Sequence, residues 1–148
     1  MRLSYTRTSS PFSSEHIASS LVVPVNSKGR IGSRPLWQAL NQVHGRVVIP
    51  GLRRERSASG ELKRGSLVRL HDSVYNKWVC LAVVEINHDI VEALHKLALF
   101  VAREIIPSLV MVPLSSAMSI SSMLGLVWEV MGHIPVSLTL CDPEALLS

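Results

Sequence analysis

Charged side chains are scarce in this sequence, since Asp, Glu, Lys and Arg together make up 18% of its 148 residues, against about 25% in a typical soluble domain. Apolar residues make up 47%, which is enough to build a core and excludes wholesale disorder. A length near the commonest domain size predicts one globular domain.

Cysteine is scarce as well. The chain has two, Cys80 and Cys141, and their wide separation fits neither a disulfide framework nor a metal-ligand motif. We therefore predict two reduced thiols and no metal site. Reduced thiols are typical of an intracellular protein, which we expect in the cytoplasm, with an organelle or a membrane as alternatives.

The usual signatures of nucleotide binding and of nucleophilic catalysis are missing. The chain has neither a G-x-x-x-x-G-K-[ST] loop nor a G-x-G-x-x-G loop, and it has no G-x-S-x-G elbow. The sequence thus predicts no cofactor and favours a non-enzymatic function. A small enzyme of unknown reaction is a third hypothesis, in which residues that follow strands, such as Asn87, His88 and Ser115, would converge on a concave pocket.

The N-terminal segment differs in composition from the rest of the chain. Residues 1–20 hold seven serines without a helical or strand period. This composition predicts a flexible, disordered Ser- and Arg-rich arm over residues 1–19, with an organelle-targeting segment as the alternative.

Residues 20–148 are predicted to form a single domain in which strands and helices alternate. Strands are predicted at 20–25, 46–50, 66–70, 77–86, 109–114 and 134–140. Helices are predicted from a cap at Ser33 to Gly45, from a cap at Asp89 to Arg103, and from a cap at Ser115 or Ser116 to Met131. This alternation predicts an α/β or α+β fold: a mixed sheet with two to three helices packed on it.

Charge is distributed unevenly along the chain. Residues 1–72 carry twelve Lys or Arg and four Asp or Glu, whereas residues 73–148 carry three and seven. A basic half of this kind suggests a surface offered to an anionic partner. The leading hypothesis is therefore a small basic protein that binds RNA or DNA through electrostatics, without reading sequence.

The cations that would bind this partner lie in two segments. Residues 26–34 connect a predicted strand to a helix N-terminus, where backbone N–H groups and the helix dipole favour an anion. Residues 52–65 are predicted to form a basic loop. The predicted nucleic-acid-binding or phosphate-binding residues are Lys28, Arg30, Arg34, Arg53, Arg54, Arg56, Lys63 and Arg64. Arg54 and Arg56 also precede Ser59 at a spacing that basophilic kinases accept, which predicts a phosphorylation site at Ser59.

An uncharged stretch of 24 residues, 105–128, supports a second hypothesis. It is long enough to cross a hydrocarbon core of about 30 Å, which would make the chain a membrane-associated accessory protein. Pro107, Pro113 and six serines argue against one continuous helix, and the residues next to the stretch are Glu104 and Glu129 rather than Lys or Arg. The sequence predicts neither an oligomeric state nor a preference between RNA and DNA.

Overall fold

The computed structural model describes residues 1–56 and 60–142, along which six strands and three helices are arranged. The strands are β1 (Arg2–Thr6), β2 (Ser20–Val25), β3 (Leu67–Asp72), β4 (Lys77–Val83), β5 (Ser108–Met111) and β6 (Ser137–Cys141). The helices are α1 (Arg34–Glu55), α2 (Asn87–Glu104) and α3 (Ile120–Met131). The predicted class is confirmed: the chain is a single mixed α/β domain.

All six strands belong to one sheet, in the order β1-β6-β5-β2-β4-β3. Neighbouring strands run parallel except for β3, which pairs antiparallel with β4. These two strands correspond to the strands predicted at 66–70 and 77–86, and they form a hairpin with Asp72 opposite Lys77 beside the turn. The sheet is therefore mixed, as expected.

Side chains of the central strands alternate between two cores. Leu21, Val23 and Val25 of β2 pack against α1 on one face, and Val22 packs with α2 and α3 on the other. Helix α1 follows β2 and lies on one face of the sheet, whereas α3 follows β5 and lies on the other face. The connections from these two adjacent parallel strands therefore run to opposite faces of the sheet, which makes this place a topological switch point. Ligands usually bind in the crevice at the carboxyl ends of strands at such a switch point.

The N-terminal residues belong to the sheet, so the predicted disordered arm is wrong. β1 pairs with β6 over its whole length, from Arg2 opposite Ser137 to Thr6 opposite Cys141. Farther along, Phe12 packs against the core under α1. Leu3 and Tyr5 of β1 pack against the core, and an edge strand bonds through its backbone to a single neighbour, so the other side chains of β1 can be polar.

Helix α1 runs through the predicted helix end at Gly45, and the predicted strand at residues 46–50 is wrong. Its buried side chains include Leu40, His44, Val48 and Leu52, a helical spacing of four that forms one continuous stripe. The β-branched residues at 47–49 indicate a strand by propensity alone, but packing of Val48 against the sheet overrides that preference.

The same helix is bent. A straight helix of 22 residues would be about 33 Å long, yet Arg34 in its first turn and Arg56 just after its last turn line one cavity. Pro50 lies inside the helix and interrupts the backbone hydrogen-bond ladder. The bend brings the start of the predicted basic loop next to residues 26–34.

Residues 105–128 are divided among several elements, so the predicted membrane span is wrong. They include β5, whose Leu109, Val110 and Met111 are buried in the sheet, and most of α3. Pro113 lies in the loop between the two. In the part of the chain that the structure describes, no helix combines the length and the apolar character needed to cross a membrane.

Candidate ligand-binding cleft

Two loops face each other at the carboxyl ends of β2 and β5, and we call them loop 1 (residues 26–33) and loop 2 (residues 112–119). Between them lies a cavity of about 470 Å³, which we call the cleft. This volume falls within the range of about 300 to 1,000 Å³ typical of small-molecule sites. The cleft is lined by Pro24, Ile31, Gly32, Ser33, Leu36, Val112, Pro113, Leu114, Ser115 and Ser116.

Loop 1 is held in shape by Asn26. Its Oδ1 accepts hydrogen bonds from the backbone N–H groups of Lys28 and Arg30, both at 3.0 Å. Its backbone N–H donates to the carbonyl of Arg30 at 2.9 Å. Gly29 adopts a φ of +77°, a left-handed conformation that costs glycine little. Loop 1 is therefore a fixed turn that needs no ligand to order it.

The end of loop 1 leads into the N-terminus of α1. Ser33 caps the helix, since its Oγ accepts a hydrogen bond from the N–H of Leu36 at 3.4 Å. Within residues 1–56 and 60–142, the backbone N–H groups of Gly32 and Ser33 donate to no other residue. Exposed N–H groups and the positive end of a helix dipole together favour an anion in the cleft.

Loop 2, like loop 1, is held by hydrogen bonds from backbone N–H groups to side-chain oxygens. The Oγ of Ser115 accepts a hydrogen bond from the N–H of Ala117 at 3.1 Å, and Ser119 caps α3 by accepting one from the N–H of Ser122 at 3.1 Å. Ser115 and Ser116 line the cleft. A ligand in the cleft would thus lie between loop 1 and these two serines of loop 2.

A third wall is formed by the residues that follow β4. A polar cavity of about 210 Å³ lies between Glu85, Asn87 and loop 2, and another of about 300 Å³ joins Glu85 to Asn26 and Arg30. The Oε1 of Glu85 accepts a hydrogen bond from the hydroxyl of Ser27 at 3.1 Å. The first cavity shares Leu114, Ser115 and Ser116 with the cleft, and the second shares Pro24, Gly32 and Leu114, so both extend it.

Asp89 fixes this third wall. Its Oδ2 accepts hydrogen bonds from the N–H groups of Glu85 at 3.0 Å and Ile86 at 3.1 Å, which caps α2. Burial alone would raise the pKa of Asp89, but these two hydrogen bonds and the nearby cation Arg64 hold it below its usual value. The carboxylate therefore stays charged and keeps the N-terminus of α2 in place.

On the other side of loop 1 lies a cavity of about 330 Å³ that we call the arginine pocket. It is lined by Arg30, Arg34, Arg56 and Trp37, together with Gly29, Ile31 and Gly32. The Nη2 of Arg56 donates a hydrogen bond to the carbonyl of Lys28 at 3.0 Å. The arginine pocket and the cleft thus share loop 1 as a wall.

The structure brings together four of the eight predicted binding residues around loop 1: Lys28, Arg30, Arg34 and Arg56. The other four predicted residues lie outside this group. Arg53 and Arg54 lie in the last turn of α1, where cations are favourable for the helix dipole. The Nε of Arg64 lies 3.4 Å from the Oδ2 of Asp89, and Lys63 is exposed. Ser59 lies outside the described residues. Phosphate binding by these residues stays a prediction.

Metal binding and the enzyme hypothesis have less support in the structure than ligand binding in the cleft. In the described ranges, no group of His, Cys, Asp and Glu side chains is arranged to hold a metal ion. Asn87 and Ser115 share the 210 Å³ cavity, as the enzyme hypothesis requires, but His88 does not line it. His88 instead lies beside Glu92, with 2.9 Å between Nε2 and Oε1.

No protein-family model matches the chain, and no curated protein matches it in sequence. Solved structures match it over nearly its whole length. The macrodomain of Mycobacterium tuberculosis DarG has a TM-score of 0.76 at 14% identity, covering 95% of this chain and 97% of that one. The macrodomain of Thermus aquaticus DarG has a TM-score of 0.72 at 13% identity, covering 95% and 98%. The chain shares the macrodomain fold.

One further match includes a ligand. Thermosipho africanus DarTG in complex with ADP-ribose has a TM-score of 0.72 at 16% identity, covering 96% of this chain and 42% of that longer one. These likenesses contradict the predicted RNA- or DNA-binding protein and its membrane-associated alternative. The chain has the fold of macrodomains, and the ligand that one of its matches holds is ADP-ribose.

Sequence reasoning missed the parts of the cleft that depend on strand order. The sequence predicts a connection at residues 26–34 and a strand at residues 77–86, without a role for Asn26 or Glu85. It predicts Ser115 or Ser116 as a helix cap, and Ser115 as a residue that follows a strand. These side chains follow β2, β4 and β5, which become neighbours only in the folded sheet. Polar residues just after buried strands were the available signal.

Proposed function

We propose that the chain binds ADP-ribose, or the ADP-ribosyl group of a modified molecule, in the cleft. The observation that carries this proposal is the position of the cleft: it opens at the carboxyl ends of β2 and β5, between loops that lead into helix N-termini, in a fold shared with a protein that holds ADP-ribose. Neither the fold nor the cleft alone would identify the ligand.

The chemistry of the cleft suits the parts of this ligand. A diphosphate would accept hydrogen bonds from the N–H groups of Gly32 and Ser33 at the N-terminus of α1. Apolar walls at Leu36 and Val112 offer contact area to a ring. Glu85 offers a carboxylate to ribose hydroxyls, as acidic residues do in dinucleotide sites.

Binding is better supported than turnover. Among the described residues that line the cleft and its two extensions, Glu85 is the only acidic side chain. Hydrolysis of a glycosidic bond usually needs a second positioned acid or base. We therefore propose a binding protein and assign no reaction to it.

Isothermal titration calorimetry with ADP-ribose tests this proposal, and Gly32→Val is the decisive variant. A Cβ at Gly32 would meet no atom within 4 Å, so the fold can accept the side chain, but the added atoms would occupy the cleft. We expect wild-type protein to bind ADP-ribose and Gly32→Val to bind it at least tenfold more weakly. ADP and ribose 5-phosphate should bind less tightly because each fills only part of the cleft.

The matched control is Gly125→Ala on α3, where a Cβ also meets no atom within 4 Å but lies away from the cleft. It should bind ADP-ribose as the wild type does. Absence of binding at millimolar ADP-ribose, or equal affinity of the wild type and Gly32→Val, would contradict the proposal.

A further inference from the structure

We propose that the arginine pocket is a second binding site, separate from the cleft, and that it takes a nucleoside 5′-monophosphate. Its phosphate would lie among the guanidinium groups of Arg30, Arg34 and Arg56, and its base would lie against the ring of Trp37. This inference does not depend on ADP-ribose binding in the cleft.

Charge is the first argument. Three arginines, Arg30, Arg34 and Arg56, line one cavity, and none of the described residues that line it is acidic. Like charges near one another repel, and a bound anion would relieve that repulsion. Guanidinium groups also form strong paired hydrogen bonds with phosphate, whose geometry they match.

The position of Arg34 is the second argument. It occupies the first turn of α1, which contains no acidic residue. The positive end of a helix dipole disfavours a cation there and favours an anion, so Arg34 costs stability in the absence of a ligand. A phosphate beside Arg34 would interact favourably with the guanidinium and with the helix N-terminus at once.

Contacts within the protein also fix part of the arginine pocket before any ligand binds. Arg56 is fixed by its hydrogen bond to the carbonyl of Lys28, and Gly29 is buried directly beneath it, since a Cβ there would lie 3.1 Å from the Nη2 of Arg56. Trp37 is only partly buried, and it packs against the core that α1 covers. An aromatic side chain beside a fixed cation can stack a base while the cation holds its phosphate.

Different residues distinguish the two sites. Arg34, Trp37 and Arg56 line the arginine pocket and not the cleft, whereas Ser116 lines the cleft and not the arginine pocket. Arg34→Gln therefore weakens the proposed site, and Ser116→Glu places a negative charge only where the cleft would hold a ligand. Arg103→Gln, at an exposed arginine on α2, is the control for loss of one positive charge.

The experiment is a titration with AMP, followed by the indole N–H signals in ¹H–¹⁵N NMR spectra. The Trp37 signal is assigned by its absence in Trp37→Leu. We expect AMP to shift the Trp37 signal of the wild type, Ser116→Glu and Arg103→Gln with similar affinity, and to bind Arg34→Gln at least tenfold more weakly. Adenosine and ribose 5-phosphate should each bind more weakly than AMP, because each lacks one of the two contacts.

Equal AMP affinity of Arg34→Gln and the wild type would overturn the proposal. Loss of AMP binding in Ser116→Glu would also overturn it, because that result places AMP in the cleft. Failure of ADP-ribose to bind the cleft would leave the AMP titration interpretable, so the two proposals fail separately.

Discussion

The Nδ1 of His44 lies 2.8 Å from the Oδ2 of Asp72, and the two side chains are 0% and 1% exposed. This contact joins α1 to the end of β3 that lies away from the cleft, so it stabilises the helix that forms one wall of the site. Arg46 approaches the same carboxylate, with its Nη2 3.4 Å from Oδ2. Lys77, opposite Asp72 in the hairpin, is also buried.

Acid is expected to destabilise the fold through this pair. Burial lowers the pKa of His44 from its usual 6.5 by more than the hydrogen bond with Asp72 raises it. Burial alone would raise the pKa of Asp72, but hydrogen bonds from His44 and from the N–H of Val74 bring it below its usual 3.8. Since the unfolded chain takes up each proton first, the free energy of unfolding should fall as the pH drops below about 6.5, and again below about 3.8.

Urea denaturation at pH 7.5, 5.5 and 3 measures this dependence. His44→Phe should lose the part of the change that lies between pH 7.5 and 5.5. An unfolding free energy that rises on acidification of the wild type would refute the assignment.

Removal of Asp72 from the His44–Asp72 pair should lower the free energy of unfolding. Asp72→Ala leaves the Nδ1 of His44 without its buried hydrogen-bond partner and the ammonium of Lys77 without a nearby carboxylate, and an unsatisfied buried polar group costs about 1 to 3 kcal/mol. Chemical denaturation measures the loss. Glu104→Ala, at an exposed acid in the last turn of α2, should change stability by only about 0.5 kcal/mol. Similar small effects of both substitutions would contradict a structural role for the pair.

Two glycine substitutions should have opposite effects. Gly29→Ala forces a left-handed φ of +77° on a residue with a Cβ and crowds Arg56, so it should destabilise the fold by about 1 kcal/mol or more and weaken ligand binding at loop 1. Gly125→Ala replaces a glycine inside α3 with open space around it, so it should stabilise by about 0.5 to 1 kcal/mol. Thermal melting of both variants gives the comparison, and a destabilised Gly125→Ala would contradict this packing of α3.

The two cysteines should be inert in the native protein. Burial raises the pKa of Cys80 to about 12 and that of Cys141 to about 11, so neither forms the reactive thiolate at neutral pH. Labelling with a thiol-specific disulfide reagent should therefore be slow in buffer and rapid for both thiols in concentrated urea. Rapid labelling of either thiol in the native state would show that the sheet around it opens readily.

The sequence predicted those elements in which local pattern and packing agree. The hairpin around residues 66–86 and helix α2 were identified because strand alternation, turn residues and the apolar stripe on α2 all point the same way. β1 was missed because an edge strand needs few apolar side chains. The second half of α1 was missed because Val47, Val48 and Ile49 favour strands locally, and only the sheet beneath Val48 decides otherwise.

The site was harder to predict than the fold. Charge counting found Lys28, Arg30, Arg34 and Arg56, which the bend in α1 brings to loop 1. The count of charges along the sequence suggested a polyanion as the partner, because it carries no information about whether those charges surround a cleft. That cleft depends on β2, β4 and β5 being adjacent, and strand order cannot be read from residues that lie far apart in the chain.

Chemical-shift mapping with ADP-ribose tests the central claim most directly. In ¹H–¹⁵N spectra recorded during a titration, we expect the largest amide shifts in loop 1 and loop 2, led by Gly32, Ser33 and Ser116, with little change along the β1–β6 edge. Saturable shifts confined to residues outside these loops, or none at millimolar ADP-ribose, would show that the cleft is not an ADP-ribose site.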